Sequence, residues 1–370
     1  MTPEMTGKER WIAAIKMEPI DHFLFWPKFS RVYSRFQKGT QFGDMTTTEI
    51  MAWTGADADG WLPEITKEIR THTDLTIKTD NQEKEIVFTT KYGTCKASYS
   101  LDEKTNSWHP TAYPIKTVED IKIMTEWYRD IKHEIDRDIL QEAVEKTAWY
   151  GDSTIVTTTV GGLKSESPLM HFMEWLAGIV EGQFLIADYP DEVEELFHVM
   201  HQELKQRVRI HAAHSPAELV GLSENTSTTI ISPTQYANYN IDHINEYGRI
   251  VHEHGKLFQL HMCGHIKNLL PQLATVEADS FEALTPPTVG DTDFVTARAA
   301  CPNMNLIGGT NATMWVSTPE EVIAYLDDQF AQLPHHRGIV PSSGGELPPI
   351  CPPAFVKQVC DFVKNYKVRN

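Results

Sequence analysis

Residues 256–284 read KLFQLHMCGHIKNLLPQLATVEADSFEAL and contain the repeating unit that predicts the fold. The apolar run KLFQLHMC is typical of a buried strand, and Gly264 ends it. A helical segment then leads to a second apolar run, SFEAL. Because residues i and i+2 of a strand point to the same face, His261 and Cys263 are expected to project together at the carboxyl end of the first strand.

Strand and helix patterns alternate in this way for roughly 200 residues, which is typical of repeated βα units. No glycine fingerprint of a dinucleotide-binding sheet follows the first strand. We therefore predict an α/β fold, a (β/α)8 TIM barrel that spans residues 1–370 as a single domain. Short alternating runs predict a small antiparallel β-meander, inserted near the N-terminus at residues 73–115.

Composition excludes several classes of protein. The formal net charge of −18 argues against sequence-independent binding to nucleic acid, which depends on neutralising phosphates. No apolar run is long enough to cross a bilayer, and the first residues do not resemble a signal peptide. Five scattered cysteines do not form a disulfide framework. We expect a cytoplasmic protein that binds neither nucleic acid nor membrane.

Polar segments follow the predicted strands, at the barrel end where catalytic residues lie in this fold. His261 and Cys263 carry side chains that bind Zn²⁺ well, although a buried His and Cys packed against helices would give the same pattern. A catalytic zinc needs a third ligand, and Glu346 lies near the presumed rim. Glu282 lies inside the next strand, where a carboxylate without a partner would be costly, so it is a further candidate ligand or proton carrier.

Three other polar residues are candidates for the site. Glu224 and Asn225 end another predicted strand, and an acid there could exchange a proton or orient a substrate. A turn or capping network would use the same residue types. Asn311 follows two glycines in GGTNAT, which suggests close approach to a ligand, but turn chemistry explains the segment equally well.

Several segments together resemble the uroporphyrinogen decarboxylase superfamily, which includes cobalamin-dependent methyltransferases. KERWIAAIKMEPIDHFLFWP resembles its opening helix and first strand, and HMCGHIKNLLPQLATVEADSFEAL resembles the unit that carries the methyltransferase zinc motif. NLIGGTNAT and GIVPSSGGELPP resemble its last two strand ends. The resemblance covers nearly the whole chain and implies a (β/α)8 barrel.

The departures from that superfamily favour its methyltransferases over its decarboxylases. The decarboxylases carry an arginine-rich stretch after the first strand and a histidine in the final strand loop. Here the first region reads FWPKFSRVYSRF, and Gly345 stands near the histidine position. The methyltransferases use His-x-Cys and a distant cysteine as zinc ligands. His261 and Cys263 match the first two, the distant cysteine would also fall near Gly345, and Glu346 beside it could substitute.

The resemblance therefore implies a corrinoid-dependent methyltransferase that moves a methyl group between a small methylated substrate and cobalt. A site with an oxygen ligand in place of a thiolate favours an oxygen-bearing substrate such as a methyl ether. Zinc or acid assistance would stabilise the oxygen left by the methyl group. Cobalamin is expected on a separate corrinoid protein. A carboxy-lyase of the decarboxylase type and a non-enzymatic ligand-binding barrel are the alternatives.

Overall fold

The computed structural model describes residues 4–30, 32–103, 107–162 and 164–370. Within them, eight parallel strands form one sheet: β1 (Trp26–Lys28), β2 (Gly60–Leu62), β3 (Val156–Val160), β4 (Leu219–Ser223), β5 (Leu257–His261), β6 (Ser280–Leu284), β7 (Asn305–Gly309) and β8 (Ile339–Glu346). Their spatial order is β1-β8-β7-β6-β5-β4-β3-β2, which is chain order around a circle. The predicted α/β fold of the TIM-barrel type is confirmed.

The sheet curls so that its two edge strands approach each other. The backbone N–H of Asp57, just before β2, donates a hydrogen bond of 2.8 Å to the carbonyl oxygen of Phe25, just before β1. Lys28 on β1 also contacts Glu282 on β6, although β8 and β7 lie between these strands in the sheet. Side chains three strands apart can meet only across the concave side of a curled sheet, so this face is the barrel interior.

Helices follow the strands and pack around them. The helices are α1 (Gly7–Ile15), α2 (Thr47–Thr54), α3 (Val118–Arg129), α4 (Arg137–Tyr150), α5 (Pro168–His171), α6 (Ile179–Asp188), α7 (Pro190–His214), α8 (Pro233–Tyr239), α9 (Ile241–Glu253), α10 (Leu270–Leu273), α11 (Phe294–Ala300), α12 (Pro319–Gln332) and α13 (Pro353–Asn365). Short 3-10 turns cover Tyr33–Gln37, Lys267–Leu269 and Met314–Val316, and a π-helical turn covers Phe172–Leu176.

One helix prediction is wrong in detail. The sequence pattern over residues 232–255 predicts one continuous helix with a capping box at Ser232. The capping box is present, since Ser232 and Gln235 bond each other's backbone N–H, but the helix breaks at Asn240 into α8 and α9. At this break the Asn240 side chain is directed inward and donates to the buried carboxylate of Glu224.

A large hydrophobic core joins the strands to the surrounding helices. Its largest fully buried side chains are aromatic, including Phe25 beside β1, Phe258 on β5, Phe281 on β6 and Trp315 after β7. No helix in the described ranges is both long enough and apolar enough to cross a membrane.

The antiparallel insertion is present between β2 and β3. Its four strands, in chain order and in neighbouring positions, are Asp74–Thr79, Glu83–Thr90, Gly93–Asp102 and Ser107–Ala112. A separate antiparallel strand pair, Thr66–Ile69 with Lys132–Ile135, lies between the insertion and the barrel in the chain, one strand before the insertion and one after it. Phe88, Cys95 and Tyr99 are buried against the core, so the inserted sheet (hereafter the insertion sheet) packs onto the barrel helices.

A β-bulge in β6 shapes the carboxyl end of the barrel. Ala283 has a φ of 72°, and the register between β6 and β7 shifts between Phe281 and Leu284. The bulge brings the backbone of Leu284 against Gly308, where an added Cβ would lie 2.2 Å from the Leu284 carbonyl oxygen. Only glycine fits there, and bulges of this kind re-aim side chains next to functional sites.

Candidate active site

Glu282 lies at the centre of a charged cluster inside the barrel. Its side chain is 4% exposed, and it contacts the ammonium of Lys28 through Oε1 and Nδ1 of His261 through Oε2. The sequence alone had offered this buried acid no obvious partner. The structure supplies two, from β1 and β5, and we call Lys28, Glu282 and His261 the charged triad.

The charges of the triad follow from its burial and its pairings. Burial acts to raise the pKa of Glu282, but Lys28 and His261 outweigh it and lower the pKa to about 2. Burial acts to lower the pKa of His261, but Glu282 and Cys263 outweigh it and raise the pKa to about 9. At neutral pH the triad therefore holds two cations around one carboxylate and presents a protonated imidazole.

Cys263 and Asn225 flank the triad on the loops that follow β5 and β4. The thiol of Cys263 is exposed and lies 3.3 Å from Oδ1 of Asn225, and Cys263 is close enough to His261 to affect its pKa. Asn225 has a φ of 47°, and its backbone N–H donates to the carbonyl oxygen of His261 at 3.2 Å. Its side chain also donates to Glu174 at 3.4 Å. These contacts fix the ends of the two strands against each other.

Close backbone packing holds these two loops together. At Gly264 an added Cβ would lie 2.7 Å from the carbonyl oxygen of Thr226, so the approach requires glycine. The backbone N–H of His265 donates to Oγ of Ser227 at 3.2 Å, and its carbonyl accepts from Thr228 at 2.8 Å. The backbone N–H and carbonyl of His265 therefore hold the loop after β5 against the loop after β4.

Glu224 lies behind the rim and is fully buried. Asn240 donates to its Oε2 at 2.8 Å and Thr226 at 3.3 Å, while Oε1 has no hydrogen-bond partner among the described residues. Burial raises the pKa of Glu224 to about 7. Its backbone N–H donates to the His261 carbonyl at 3.0 Å, so Glu224 supports the rim, and its predicted catalytic role stays a prediction.

Asn311 is also fully buried, and its amide is used by its own loops. The amide NH₂ donates to the carbonyl oxygens of Pro286 and Pro287 at 3.0 and 2.9 Å. Its oxygen accepts from Thr313 and from the backbone of Met314. Asn311 thus ties the loop after β7 to the loop after β6, and its predicted contact with a substrate stays a prediction.

The four predicted zinc ligands are not gathered into one set. His261 contacts Glu282 and lies near Cys263, but no contact joins Cys263 to Glu282 within the described residues, and Glu282 is shared with the cation Lys28. Glu346 is exposed at the end of β8, and no hydrogen bond or ion pair of its carboxylate occurs within the described residues. Over the same part of the chain, no three His, Cys, Asp or Glu side chains are grouped as a metal site requires. The arrangement as it stands does not fit a three-ligand zinc site.

Two site residues were missed by sequence reasoning. The segment FWPKFSRVYSRF is used above only for its lack of the decarboxylase arginines, and neither Lys28 within it nor Asp59 is singled out by the sequence. Both line a pocket of about 610 Å³ beside β1, together with Trp26 and Phe29. Burial raises the pKa of Asp59 to about 6, with Lys28 opposing and Glu282 adding to the shift. A lysine that ends a barrel strand was the only signal in the sequence that could have pointed here.

The comparisons with known proteins agree with this architecture. Residues 156–366, more than half of the chain, match the uroporphyrinogen decarboxylase (URO-D) family. The chain belongs to that family. A search of curated proteins finds no match.

Among solved structures, a methyltransferase from Methanosarcina mazei is similar over 97% of this chain and 98% of its own, with a TM-score of 0.59 and 12% identity. At that identity the likeness establishes the fold. A putative vitamin-B12 independent methionine synthase from Listeria monocytogenes matches 61% of this chain and 68% of its own, with 10% identity and a TM-score of 0.37.

Proposed function

We propose that this protein is a methyltransferase that takes a methyl group from a small methyl ether and passes it to a corrinoid protein. The observation that carries the proposal is the charged triad at the carboxyl end of a URO-D barrel, with its protonated imidazole beside an exposed thiol. The full-length likeness to a methyltransferase supports the same reading. The corrinoid partner follows from the sequence resemblance.

The triad suits the cleavage of a bond between methyl carbon and oxygen. When the methyl group leaves without its bonding electrons, the oxygen keeps the pair and must be protonated or stabilised. Nδ1 of His261 faces Glu282, so the proton on Nε2 is the one that a substrate oxygen can take. The neutral His261 would remain next to an intact Lys28–Glu282 ion pair. The methyl group would be accepted by the corrinoid of the partner protein, whose cobalt in the Co(I) state would supply the electron pair of the new bond.

The pocket beside β1 is the proposed place for the body of the substrate. Lys28 and Asp59 contribute polar groups, and Trp26, Phe29 and Met51 contribute apolar walls. Four hydroxyl side chains also line the pocket, so its wall is mixed, and its volume of about 610 Å³ lies in the range of small-molecule sites. Because Lys28 belongs to both the pocket and the triad, a ligand there would lie beside the proton donor.

The experiment is a methyl-transfer assay with free cob(I)alamin as the acceptor and a panel of methyl ethers and methanol as donors. Formation of methylcobalamin is followed by its visible absorbance. We expect His261→Gln to lower the rate by about 100-fold or more, since a positioned proton donor contributes on that order. The matched control is His265→Gln, on the loop that follows β5, which should leave the rate within about two-fold.

Two results would contradict the proposal. Release of carbon dioxide from a tetrapyrrole or another carboxylic acid, without any cobalamin, would favour the decarboxylase alternative. If His261→Gln and Cys263→Ser altered only thermal stability, and no donor gave methylcobalamin, the non-enzymatic barrel would be favoured.

Zinc stays a prediction with its own measurement, the metal content of protein purified without chelator. His261 and Cys263 are the donors that lie together, and Glu346 is the ligand predicted to complete them. If zinc binds, Cys263→Ser should lose it, and loss in Glu346→Gln would make Glu346 a ligand. The position of the distant cysteine can be refilled, because a Cβ added at Gly345 meets no atom within 4 Å. Gly345→Cys should then increase zinc retention, and no zinc in any variant would contradict the prediction.

A further inference from the structure

The first strand of the insertion sheet, Asp74–Thr79, has an open edge. It pairs with the strand Glu83–Thr90, and no strand within the described residues lies along its other side. All of its residues are exposed, whereas the two strands that follow it are partly buried. An edge of this kind presents unpaired backbone N–H and C=O groups to any strand that can lie beside it. We call Asp74–Thr79 the edge strand.

The outward backbone groups belong to alternate residues of the edge strand. The hairpin closes where the N–H of Asp80 donates to the carbonyl oxygen of Glu83 at 3.0 Å. Because bonding alternates along an antiparallel ladder, residues an even number of positions before Asp80 bond inward, to the neighbouring strand. The backbone groups of Leu75 and Ile77 therefore point outward, where a second strand can bond to them.

Contacts at both ends hold the edge strand in an extended conformation. Just after α3, Oδ2 of Asp130 accepts from the backbone N–H groups of three consecutive residues before the strand, at 3.0, 2.7 and 2.8 Å; these are Thr71, His72 and Thr73. The hairpin turn fixes the other end. A strand that is already ordered loses little conformational freedom when it pairs, which favours binding.

The sequence of the edge strand, DLTIKT, is complementary to itself when two copies run antiparallel about Thr76. Asp74 of each copy then lies opposite Lys78 of the other, and Leu75 of each copy lies opposite Ile77 of the other. A two-fold axis normal to the sheet keeps opposing side chains on the same face. The charged pairs therefore share one face and the aliphatic pairs share the other, and cross-strand pairs of both kinds stabilise a sheet.

Neighbouring registers do not give this match. An axis through Ile77 would place Asp74 of one copy opposite Asp80 of the other, which brings like charges together. An axis through Leu75 would place Asp74 opposite Thr76, which leaves the carboxylate without a cation. The charges thus select the register that is centred on Thr76.

The two charged side chains of the edge strand are available for this contact. Neither Asp74 nor Lys78 forms an ion pair within the described residues of its own chain. Glu85, opposite Lys78 on the neighbouring strand, already lies 3.6 Å from Lys96. The net charge of −18 opposes association of two copies, but salt screens it beyond about 8 Å at physiological ionic strength, so the local pairs decide.

We propose that two copies of this chain associate through their edge strands and join their four-stranded insertion sheets into one antiparallel sheet. The contact would cover Leu75 and Ile77, which are 40% and 55% exposed. One strand from each copy buries less than the roughly 800 Å² per partner of a standard interface, so the dimer should be weak and reversible. The contact uses no residue of the charged triad, and its test measures no activity, so its outcome is independent of the proposed function.

The experiment is sedimentation velocity of the full chain at about 5 to 500 µM, near physiological ionic strength. We expect a dimer with a dissociation constant on the order of 100 µM. Lys78→Asp and Asp74→Lys should each weaken it by about ten-fold or more, because both cross-strand ion pairs become like-charge pairs. Lys67→Asp is the matched control, on an exposed strand position outside the insertion sheet, and should change the dissociation constant by less than about two-fold.

A mixture of the two single variants tests the pairing itself. Asp74→Lys and Lys78→Asp should each be largely monomeric alone and form a one-to-one dimer when mixed, because opposite charges then face each other at both positions. Ile77→Pro tests the backbone contact, since it removes an outward N–H and no hydrogen bond inside the insertion sheet. It should weaken the dimer while its circular dichroism stays native.

Three outcomes would overturn the proposal. A monomer at every concentration up to about 500 µM would reject the dimer and leave the edge to a strand of another protein. A dimer that neither Lys78→Asp nor Ile77→Pro weakens would use some other surface. Two single variants that stay monomeric when mixed would reject the register centred on Thr76.

Discussion

Lys28 neutralises a carboxylate that would otherwise be isolated inside the barrel. Its side chain is 18% exposed and that of Glu282 is 4% exposed, so water screens the pair only weakly. An ionised carboxylate in such a place depends on its partners, because desolvation alone would favour the neutral acid. Lys28 therefore both stabilises the fold locally and sets the charge of the triad.

We predict that Lys28→Met lowers the free energy of unfolding by about 3 kcal/mol, since it leaves Glu282 buried without its ammonium. Urea denaturation at pH 7 measures the loss. Adding Glu282→Gln should recover part of it, so the double variant should lose less than the sum of the two single variants. Lys357→Met is the control, because the Lys357–Asp361 pair is exposed and should be worth less than about 1 kcal/mol. If both lysine variants lost the same free energy of unfolding, the buried Lys28–Glu282 pair would contribute no more to stability than an exposed ion pair.

At the scale of the helices, α7 and α9 meet through two stacked histidines. The rings of His201 and His243 lie 3.9 Å apart with an interplanar angle of 10°. Burial and the charge of His201 lower the pKa of His243 to about 3, with Glu246 opposing and His198 and Lys205 adding to the shift. Burial also lowers the pKa of His201. The folded protein therefore holds these rings neutral where the unfolded chain would protonate them.

This contact predicts a loss of stability in acid. A folded-state pKa below the ordinary value of 6.5 means that the unfolded state binds more protons between about pH 6.5 and pH 3. Stability should be complete above pH 6.5 and fall as the pH decreases below it. His243→Gln should flatten this fall by on the order of 1 kcal/mol between pH 7 and pH 5, measured by urea denaturation. The control is His214→Gln, at the exposed end of α7; an unchanged slope in His243→Gln would contradict the assignment.

At the scale of the whole molecule, the last residues of the chain tie its end to the first strand region. Asn370 exchanges two hydrogen bonds with the backbone of Ile20, at 3.1 and 3.0 Å. Arg369 donates to the carbonyl oxygens of Phe330 and Leu333, at 2.6 and 2.7 Å. These two carbonyl groups lie at the carboxyl end of α12. These contacts fasten the outer layer across the seam where β1 meets β8.

Replacing both residues, in Arg369→Ala with Asn370→Ala, should therefore cost about 2 kcal/mol of unfolding free energy and lower the melting temperature by a few degrees. Differential scanning calorimetry measures the change. Lys367→Ala, exposed two positions earlier, should have almost no effect. A melting temperature that matched wild type in the double variant would show that the seam does not depend on the tail.

The sequence by itself determined the barrel and the place of His261 at the carboxyl end of β5. Local periodicity and capping residues such as Thr6, Ser232 and Thr318 act over a few neighbouring positions, so they can be read from one segment at a time. The predicted strand KLFQLHMC is too long, since β5 ends at His261 and Cys263 lies on the loop that follows. The antiparallel insertion was predicted at residues 73–115, and its strands span residues 74–112, for the same reason.

Only the tertiary structure decided what those residues face. Lys28 and Glu282 are far apart in the chain and meet because the sheet curls, and Asn240, between α8 and α9, reaches the buried Glu224. Glu346 follows its strand to an exposed end, although its chain position beside Gly345 made it a candidate ligand. Burial, charge and the bulge at Ala283 act through space between elements, and no local pattern records which side chains a closed barrel brings together.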